Sequence, residues 1–436
     1  MQFDESDRLR KRARQLIPGG AHTYSKGDDQ FPQLSPGFMT RAKGALAWDP
    51  DGNEFLDWGM GLRSVCLGHA HEPVLEAVRA QLEKGVNFTR PSPLEADLAG
   101  MLGELIPSAE MVKFAKNGSD VTTAAVRLAR ACTGRDLILR CLDHPFFSVD
   151  DWFIGDTAMD AGIPRSTKDI TRNFPFNDAT ALERVLGENR GRVACIILEP
   201  AATAAPAPGY LERVRELATQ HGAVLIFDEI ITGFRWDVRG AQHFYGVRPD
   251  LSTFGKAMAN GFSLAALVGK REIMELGGLE HDKPRVFLLS TTNGAETHCL
   301  SASLCTIGIL RDTPVIAENW KIGKQLREGF NRLASAHGIG ERARMEGVDI
   351  SPWYAFYDAG GKVDLSLRTL FLQETIRHGV LIPYVSISAS HREAEVARTL
   401  DAVDKALRVI ARAVEKGSVE GLLVGPVVKP VFRKFN

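Results

Sequence analysis

Cysteine is scarce in this chain, and its spacing follows no motif. The six cysteines stand at positions 66, 132, 141, 195, 299 and 305, so no two of them form a CxxC pair. Most of them lie among apolar residues. Disulfides and a cysteine metal site are therefore not expected. We interpret these residues as reduced side chains in the core of a cytoplasmic protein.

Long hydrophobic runs and an excess of charge of one sign are also missing. No stretch reaches the roughly 20 apolar residues of a membrane-spanning helix. The first residues, MQFDESDRLRKRARQLIP, lack the apolar segment of a secretory signal. The formal net charge is -1, so nothing directs the chain toward nucleic acid or anionic membranes. We predict a cytoplasmic protein that binds neither.

Two histidines, His69 and His71, stand close enough in the sequence to suggest a metal site. A spacing of two residues with no third ligand nearby does not support one, because a protein site for zinc needs three or four ligands. We therefore predict no metal. The chain has 436 residues, 44% hydrophobic and 25% charged. This length and composition indicate a globular enzyme of two domains.

The most informative stretch runs from Val224 to Lys256. Residues 223–227 form a short apolar run, typical of a strand buried on both faces of a parallel sheet, and Asp228 follows it. Residues 250–254 predict another strand, followed by Gly255 and Lys256. Ligands of open α/β sheets bind outside the carboxyl ends of the strands. The two strand ends thus direct a carboxylate and an amine toward one cleft.

Asp228 and Lys256 are the pair that pyridoxal phosphate needs. A lysine forms a Schiff base with the cofactor aldehyde, and an acid keeps the pyridine nitrogen protonated so that the ring accepts electrons. A partly buried structural ion pair explains the two residues equally well when they are considered alone. The sequence around them decides between these interpretations.

The segments FDEIITGFR, GAQHFYGVRPDLSTFGK and VGKREIM resemble the class III aminotransferases, and their glutamate-1-semialdehyde aminomutase branch in particular. The resemblance implies an α/β enzyme of fold type I that binds pyridoxal 5'-phosphate. Its large domain has a mostly parallel, doubly wound sheet, and its small domain is α+β. We expect residues 73–310 to form the large domain and residues 1–72 and 311–436 to belong to the small one.

A strand at 111–115, the turn Asn117-Gly118-Ser119-Asp120 and a helix at 121–132 predict an anion site, because a helix amino terminus presents free N–H groups. A capped helix without a ligand explains the turn equally well. Its resemblance to the family's SGTEA phosphate cup favours Gly118, Ser119 and Asp120 as cofactor ligands. The segment FLLSTTNG resembles a family segment that crosses a homodimer interface, and this places Thr291 at the partner's phosphate.

The resemblance also implies that two apolar side chains enclose the pyridine ring. Ile230 takes the position behind the ring. The family's stacking aromatic falls at Pro145 by ungapped counting, and the first aromatic residue after it is Phe146. We expect Phe146 to stack on the ring, although core packing explains the Phe-Phe pair equally well.

Substrate-binding residues follow from the same resemblance. Counting from Pro18-Gly19-Gly20 puts Thr23 and Lys26 where the aminomutases hold the substrate carboxylate with a serine and an arginine. Glu199 ends a buried strand and faces either the substrate or the protein interior, and Glu296 lies on the pocket rim. Lysine cannot make the planar two-point contact of arginine. The loop after Glu199 is also shorter than in the aminomutases, and their late motif after Pro383 is missing.

The function that this pattern predicts is transfer of an amino group from an amino-acid donor to a small carbonyl acceptor. We expect L-glutamate as the donor and an aldehyde or ketone of the sugar or cyclitol type as the acceptor. The alternative is glutamate-1-semialdehyde 2,1-aminomutase, which has the same cofactor set. A binding protein without activity is a third interpretation, since fold does not fix function.

Overall fold

A computed structural model describes residues 1–435. The chain divides into two compact units. The first comprises Met1–His71 and Ala317–Arg433, and the second comprises Glu72–Ile316 with the chain end from Lys434. The strands are β1 Arg41–Lys43, β2 Leu46–Trp48, β3 Glu54–Asp57, β4 Met111–Ala115, β5 Leu137–Cys141, β6 Thr171–Phe174, β7 Val193–Leu198, β8 Val224–Asp228, β9 Leu251–Phe254, β10 Ala265–Gly269, β11 Ala343–Glu346, β12 Trp353–Phe356 and β13 Val380–Leu381.

Fifteen α-helices connect these strands within the described residues. They are α1 Asp4–Leu16, α2 Met60–Arg63, α3 Glu72–Leu82, α4 Pro93–Leu105, α5 Gly118–Thr133, α6 Asp151–Ile154, α7 Arg165–Lys168, α8 Ala179–Glu188, α9 Tyr210–His221, α10 Ala241–Phe244, α11 Arg271–Met274, α12 Thr297–Asp312, α13 Val315–Ala336, α14 Leu365–Arg377 and α15 Glu393–Lys416. Helices α2, α6, α7, α10 and α11 are single turns of four residues.

The second unit is organised around a seven-stranded sheet with the order β4-β10-β9-β8-β7-β5-β6. Strands β9, β8, β7, β5 and β6 pair in parallel. Strands β7 and β8 are buried at every residue, which explains their apolar sequences, because both faces of a parallel sheet are covered. Helices α8 and α9 pack on the sheet through one shared apolar cluster. The predicted α/β fold with a mostly parallel sheet is confirmed.

The first unit combines a small sheet with helices. Its four-stranded sheet has the order β1-β2-β3-β13, and β11 and β12 form a separate antiparallel pair. A hairpin around Asp51-Gly52 forms the antiparallel pair of β2 and β3. Helices α14 and α15 pack together and contribute to one large core. Within this unit the indole Nε1 of Trp58 donates to Thr399 Oγ1 at 2.8 Å.

Helix α5 begins earlier than the sequence predicts. The expected turn at 117–120 consists of an N-cap residue, Asn117, followed by the first helical turn, and the helix starts at Gly118 instead of residue 121. Asn117 Oδ1 accepts from Asp120 N at 3.2 Å, and Asp120 Oδ2 accepts from Asn117 N at 3.2 Å. This reciprocal capping box satisfies two backbone donors at the start of the helix, so the helical geometry extends back to Gly118.

Across residues 1–435, no single helix combines the length and the apolar composition of a membrane span. One bent pair of consecutive helices, α12 with α13, reaches that length and composition jointly.

Candidate active site

The pairing of β8 with β9 determines the geometry of the site. The two strands are parallel neighbours, and their register places Asp228 opposite Thr253. Lys256 follows three residues after Thr253, just beyond the end of β9. The carboxylate that ends β8 and the lysine that follows β9 therefore lie at the same edge of the sheet. This edge is where ligands of α/β proteins bind.

Asp228 is buried and held from one side. Its Oδ1 accepts from the backbone N–H of Ile230 and from the hydroxyl of Thr253, each at 3.0 Å. Burial raises the pKa of Asp228 to about 6, and these two bonds and the charge of Lys256 act in the opposite direction. Both bonds engage Oδ1 and so orient the carboxylate.

Glu229 is adjacent in sequence but has a different environment. Its carboxylate accepts from the N–H of Gln242 and from the Gln242 side chain, each at 3.0 Å, and from the Thr232 hydroxyl at 3.1 Å. It also accepts from Ala241 N, at the start of α10. Burial raises the pKa of Glu229 above its ordinary value. Glu229 thus has a structural role, and of the two acids only Asp228 has an oxygen free of such bonds.

Lys256 opens a short 3₁₀ turn, Lys256–Ala259, and has a φ of 43°. This is the left-handed region, which costs a residue with a Cβ on the order of 1 kcal/mol or more and is enriched at functional sites. Helix α12 holds this turn in place, because Ser303 Oγ of α12 donates to Met258 O at 3.0 Å. The fold thus maintains Lys256 in a conformation that its own backbone disfavours.

The amino terminus of α5 approaches the same edge through Ile230. A Cβ added to Gly118 would lie 3.3 Å from Ile230 Cδ1, and one added to Gly255 would lie 3.0 Å from the same atom. Glycine at both positions lets the backbone approach Ile230 closely. The capping box uses the N–H groups of Asn117 and Asp120, so Gly118 and Ser119 supply the N–H groups that remain for an anion.

The hydroxyl of Ser119 has a second contact. It accepts from Val149 N at 3.1 Å and so ties the loop that follows Phe147 to helix α5. Thr122 Oγ1 donates to Phe147 O at 2.7 Å on the same side of the helix. Phe147 is 2% exposed, whereas Phe146 is 45% exposed and contacts Phe153 edge-on. The loop therefore buries one phenylalanine in the core and leaves Phe146 accessible to a ligand.

Glu199, which follows β7, is 3% exposed. Its backbone N–H donates to His144 Nδ1 at 2.9 Å. Burial lowers the pKa of His144 to about 3, so the imidazole is neutral and Nδ1 is free to accept this bond. His144 follows β5, the neighbour of β7 in the sheet. The contact of His144 with Glu199 could not be predicted from the sequence, because a single histidine does not reveal its partner.

Glu296 and Thr291 lie on the segment before α12. Glu296 is 8% exposed and forms an ion pair with Lys116, the residue before the Asn117 cap. Thr291 is exposed and lines a polar cavity of about 300 Å³. Lys116 was not predicted as part of the site, since the two residues of the pair are separated by about 180 positions.

Thr23 and Lys26 belong to the first compact unit, whereas the other predicted site residues belong to the second. Lys26 lines a cavity of about 680 Å³ in that unit, together with the paired side chains of Asp57 and His69. His69 Nε2 lies 2.9 Å from Asp57 Oδ2. Among residues 1–435, no three His, Cys, Asp or Glu side chains are grouped to hold a metal ion.

These features define an enzyme of the fold-type-I pyridoxal-phosphate class. The residues present fit the cofactor, because the site combines an oriented buried acid, a lysine, an amino-terminal helix end with free N–H groups and two glycines beneath an isoleucine. The model of the family "Aminotransferase class-III" matches residues 25–382. The chain belongs to the class III aminotransferases and uses pyridoxal 5'-phosphate.

Similar proteins include both branches considered above. A glutamate-1-semialdehyde 2,1-aminomutase of Roseiflexus castenholzii is 33% identical, over 96% of this chain and 100% of that protein. A 3-aminobutyryl-CoA aminotransferase of Cloacimonas acidaminovorans is 34% identical, over 93% of this chain and 97% of the other. The FumI protein of Sphingopyxis sp. MTA144, solved in its PLP internal aldimine form, superimposes with a TM-score of 0.86 at 28% identity, over 94% and 97% of the two chains.

Proposed function

We propose that this enzyme transfers the amino group of L-glutamate to an aldehyde or ketone acceptor of the sugar or cyclitol type. We further propose that it acts in the cytoplasm as a homodimer, to which each subunit contributes Thr291 across the interface. All six cysteines are free thiols in the described residues, which supports a reducing compartment.

The cofactor, when bound, supplies an electron sink for the negative charge that develops on the substrate carbon. The Nζ of Lys256 would hold the cofactor and, as a free amine, would take the proton from the donor α-carbon. Oδ2 of Asp228 holds the proton of the pyridine nitrogen, while Ile230 N and Thr253 fix Oδ1.

Cofactor placement in this proposal depends on four residues of the second unit. The N–H groups of Gly118 and Ser119, with the positive end of the α5 dipole, bind the phosphate. Ile230 covers one face of the ring and Phe146 the other. Asp120 would act on the phosphate site through the capping box that it forms with Asn117.

Lys26 supports transfer between two molecules rather than within one. An isomerase has to retain a small carboxylate intermediate through two half-reactions, which calls for a bidentate guanidinium contact. Lys26 stands where the aminomutases have that arginine, and its side chain is exposed. An aminotransferase releases the keto product of its donor, so it needs no such retention. Thr23, Glu199 and Glu296 complete the proposed substrate contacts.

The test of this function uses two half-reactions. L-glutamate added to the cofactor-loaded enzyme should give 2-oxoglutarate in a 1:1 ratio to active sites and leave the cofactor in its amine form. A panel of sugar and cyclitol carbonyl compounds should then return the cofactor to its starting spectrum, with the aminated product identified by mass spectrometry. No 2-oxoglutarate from glutamate would contradict the proposed donor.

A second candidate is the aminomutase activity of the Roseiflexus relative, which matches this chain over nearly its full length. Glutamate-1-semialdehyde supplied alone distinguishes the two functions. Efficient formation of 5-aminolevulinate, with no response to glutamate, would establish the aminomutase instead.

A further inference from the structure

The cofactor phosphate has no free cation within its proposed binding site. Gly118 and Ser119 offer N–H dipoles, and the nearest basic residue in the sequence, Lys116, is paired with Glu296. A phosphate group carries between one and two negative charges near neutral pH. The N–H dipoles compensate such a charge only partly, so a cation from another segment would strengthen phosphate binding.

Two cations line the small cavity that contains Thr291. Arg90 follows the exposed Phe88 on the loop before α4, and Lys113 lies on β4. Neither side chain makes a hydrogen bond or an ion pair with the residues that the structure describes. The acids on the cavity wall are engaged: Glu296 by Lys116, and Glu95 by Ser92 N at 3.2 Å.

The loop that carries Arg90 is fastened to the segment that carries Thr291. Asn87 Nδ2 donates to Thr292 O at 2.9 Å, and Thr297 donates to Val86 O through its N–H at 3.0 Å and to Gly85 O through its hydroxyl at 2.8 Å. These bonds hold the two segments together, and Arg90 and Thr291 line the same cavity. A second subunit that receives Thr291 also receives Arg90.

Exposed apolar side chains flank this surface. Phe88 is 48% exposed and Val86 is 37% exposed, two and four residues before Arg90, and Phe287 is 73% exposed, four residues before Thr291. Arg127 Nη1 of α5 donates to Phe287 O at 2.8 Å and so holds that segment in place. Ordered and exposed apolar groups around a cationic centre suit a protein partner. The proposed second copy of this chain is that partner.

We propose that Arg90 binds the phosphate of the cofactor held by the partner subunit, next to Thr291. Arginine suits this role because its planar guanidinium makes two hydrogen bonds to one phosphate. The inference rests on the proposed homodimer and cofactor site, and it adds to them a cation supplied across the interface.

The first test compares the affinity for pyridoxal phosphate with that for pyridoxal, which lacks the phosphate. Arg90→Gln should weaken pyridoxal phosphate binding by about tenfold or more, since a hydrogen bond to a charged group is lost, and should leave pyridoxal binding unchanged. Lys84→Gln, an exposed charge on the same loop that does not line the cavity, is the matched control and should change neither affinity. Unchanged binding in Arg90→Gln, or equal losses for both ligands, would overturn the proposal.

The second test determines which subunit supplies the arginine. Differently tagged Arg90→Gln and Lys256→Ala chains are mixed and refolded, then loaded at a cofactor concentration that saturates the wild type but not the Arg90→Gln homodimer. Borohydride then fixes the cofactor on Lys256 of the Arg90→Gln chain, and mass spectrometry measures the labelled fraction. Labelling should return to the wild-type level in the mixed dimer, because the Lys256→Ala chain supplies an intact Arg90. Labelling that stays at the level of the Arg90→Gln homodimer would place Arg90 in its own site and overturn the proposal.

These outcomes are separable from those of the proposed function. A monomeric wild-type protein contradicts the role of Arg90 and leaves the glutamate reaction standing. The labelling and the preference for pyridoxal phosphate over pyridoxal can both be as predicted while glutamate gives no reaction. That result contradicts the proposed donor and leaves the role of Arg90 standing.

Discussion

Asp228 and Glu229 show how two neighbouring acids acquire different functions. Both are buried, and burial raises the pKa of both. The Glu229 carboxylate accepts four hydrogen bonds, from Thr232, Ala241 and Gln242, which replace those that water would make. Asp228 receives two bonds, both on one oxygen. In the cofactor-free protein these two bonds therefore stabilise the buried negative charge of Asp228 only partly. A cationic pyridinium ring would stabilise it further.

The titration of Asp228 predicts how the cofactor-free protein responds to pH. The folded state binds a proton with a pKa of about 6, against an ordinary value of 3.8. The contribution of Asp228 to the free energy of unfolding therefore falls by about 3 kcal/mol as pH rises from 3.8 to 6, and it is constant above that range. Asp228→Asn does not titrate and keeps the oxygen that accepts both bonds. Urea denaturation should therefore give Asp228→Asn a higher free energy of unfolding than the wild type, and this difference should be larger above pH 6 than near pH 3.8.

An equal stability difference at both ends of this pH range would show that the charge of Asp228 is already stabilised in the cofactor-free protein.

Asp250→Asn should have the opposite effect on stability. The pKa of Asp250 is lowered, because bonds from Lys270, Leu225 and Arg215 outweigh its burial, so its replacement should cost stability at neutral pH.

In the cofactor-loaded enzyme Asp228→Asn should be harmful, although it should stabilise the cofactor-free protein. A neutral amide cannot hold the proton of the pyridine nitrogen, and the transfer rate should fall by about 10³-fold or more. The cofactor itself should remain attached, which its absorption spectrum will report. A near-normal rate in single-turnover assays would mean that another group holds this nitrogen.

At the level of single residues, the placement of Asp228 and Lys256 at one edge of the sheet was predictable, because each follows a recognisable buried strand. The choice between a cofactor site and a structural ion pair came from the family resemblance alone. The bond of His144 to Glu199 and the pairing of Lys116 with Glu296 could not, because each joins residues that only the folded chain brings together. The left-handed backbone of Lys256 also left no sign in the sequence, since lysine has no preference for it.

Among the elements, helix α5 carries the proposed phosphate site. Its capping box uses the backbone donors of Asn117 and Asp120 and leaves those of Gly118 and Ser119 outside the box. The long buried strands β7 and β8 were predictable from their apolar runs. The antiparallel direction of β10 was not, because its sequence is as apolar as that of its parallel neighbours.

The capping residue of α5 should affect both stability and cofactor binding. Asn117→Ala removes the N-cap bond and should cost about 1 kcal/mol of stability. It should also weaken pyridoxal phosphate binding several-fold, because the first turn loses its fixed geometry. Asp178→Ala removes a similar cap from α8, where Asp178 Oδ1 accepts from Ala181 N at 2.8 Å. This control should lose comparable stability and retain its cofactor affinity. Equal cofactor affinity in the two variants would contradict a phosphate site at α5.

At the scale of the whole molecule, the first compact unit is built from both ends of the chain. Strand β3 pairs in parallel with β13, more than 300 positions away, and Trp58 bonds Thr399. The hairpin of this unit has a local signal in the sequence, the turn dipeptide Asp51-Gly52 between β2 and β3. The pairing of its two halves was implied only by the family resemblance, because no local pattern records which distant strand completes a sheet.

We expect Lys256 to carry pyridoxal phosphate and to perform the transfer. The most direct measurement is borohydride reduction of the loaded wild-type enzyme, followed by peptide mapping, with Lys256→Ala as the matched control. One cofactor per chain should be fixed on the peptide that contains Lys256. The Lys256→Ala protein should take no label while keeping a wild-type thermal unfolding curve to within about 1 kcal/mol. A label on another lysine, or turnover that survives in Lys256→Ala, would contradict the account.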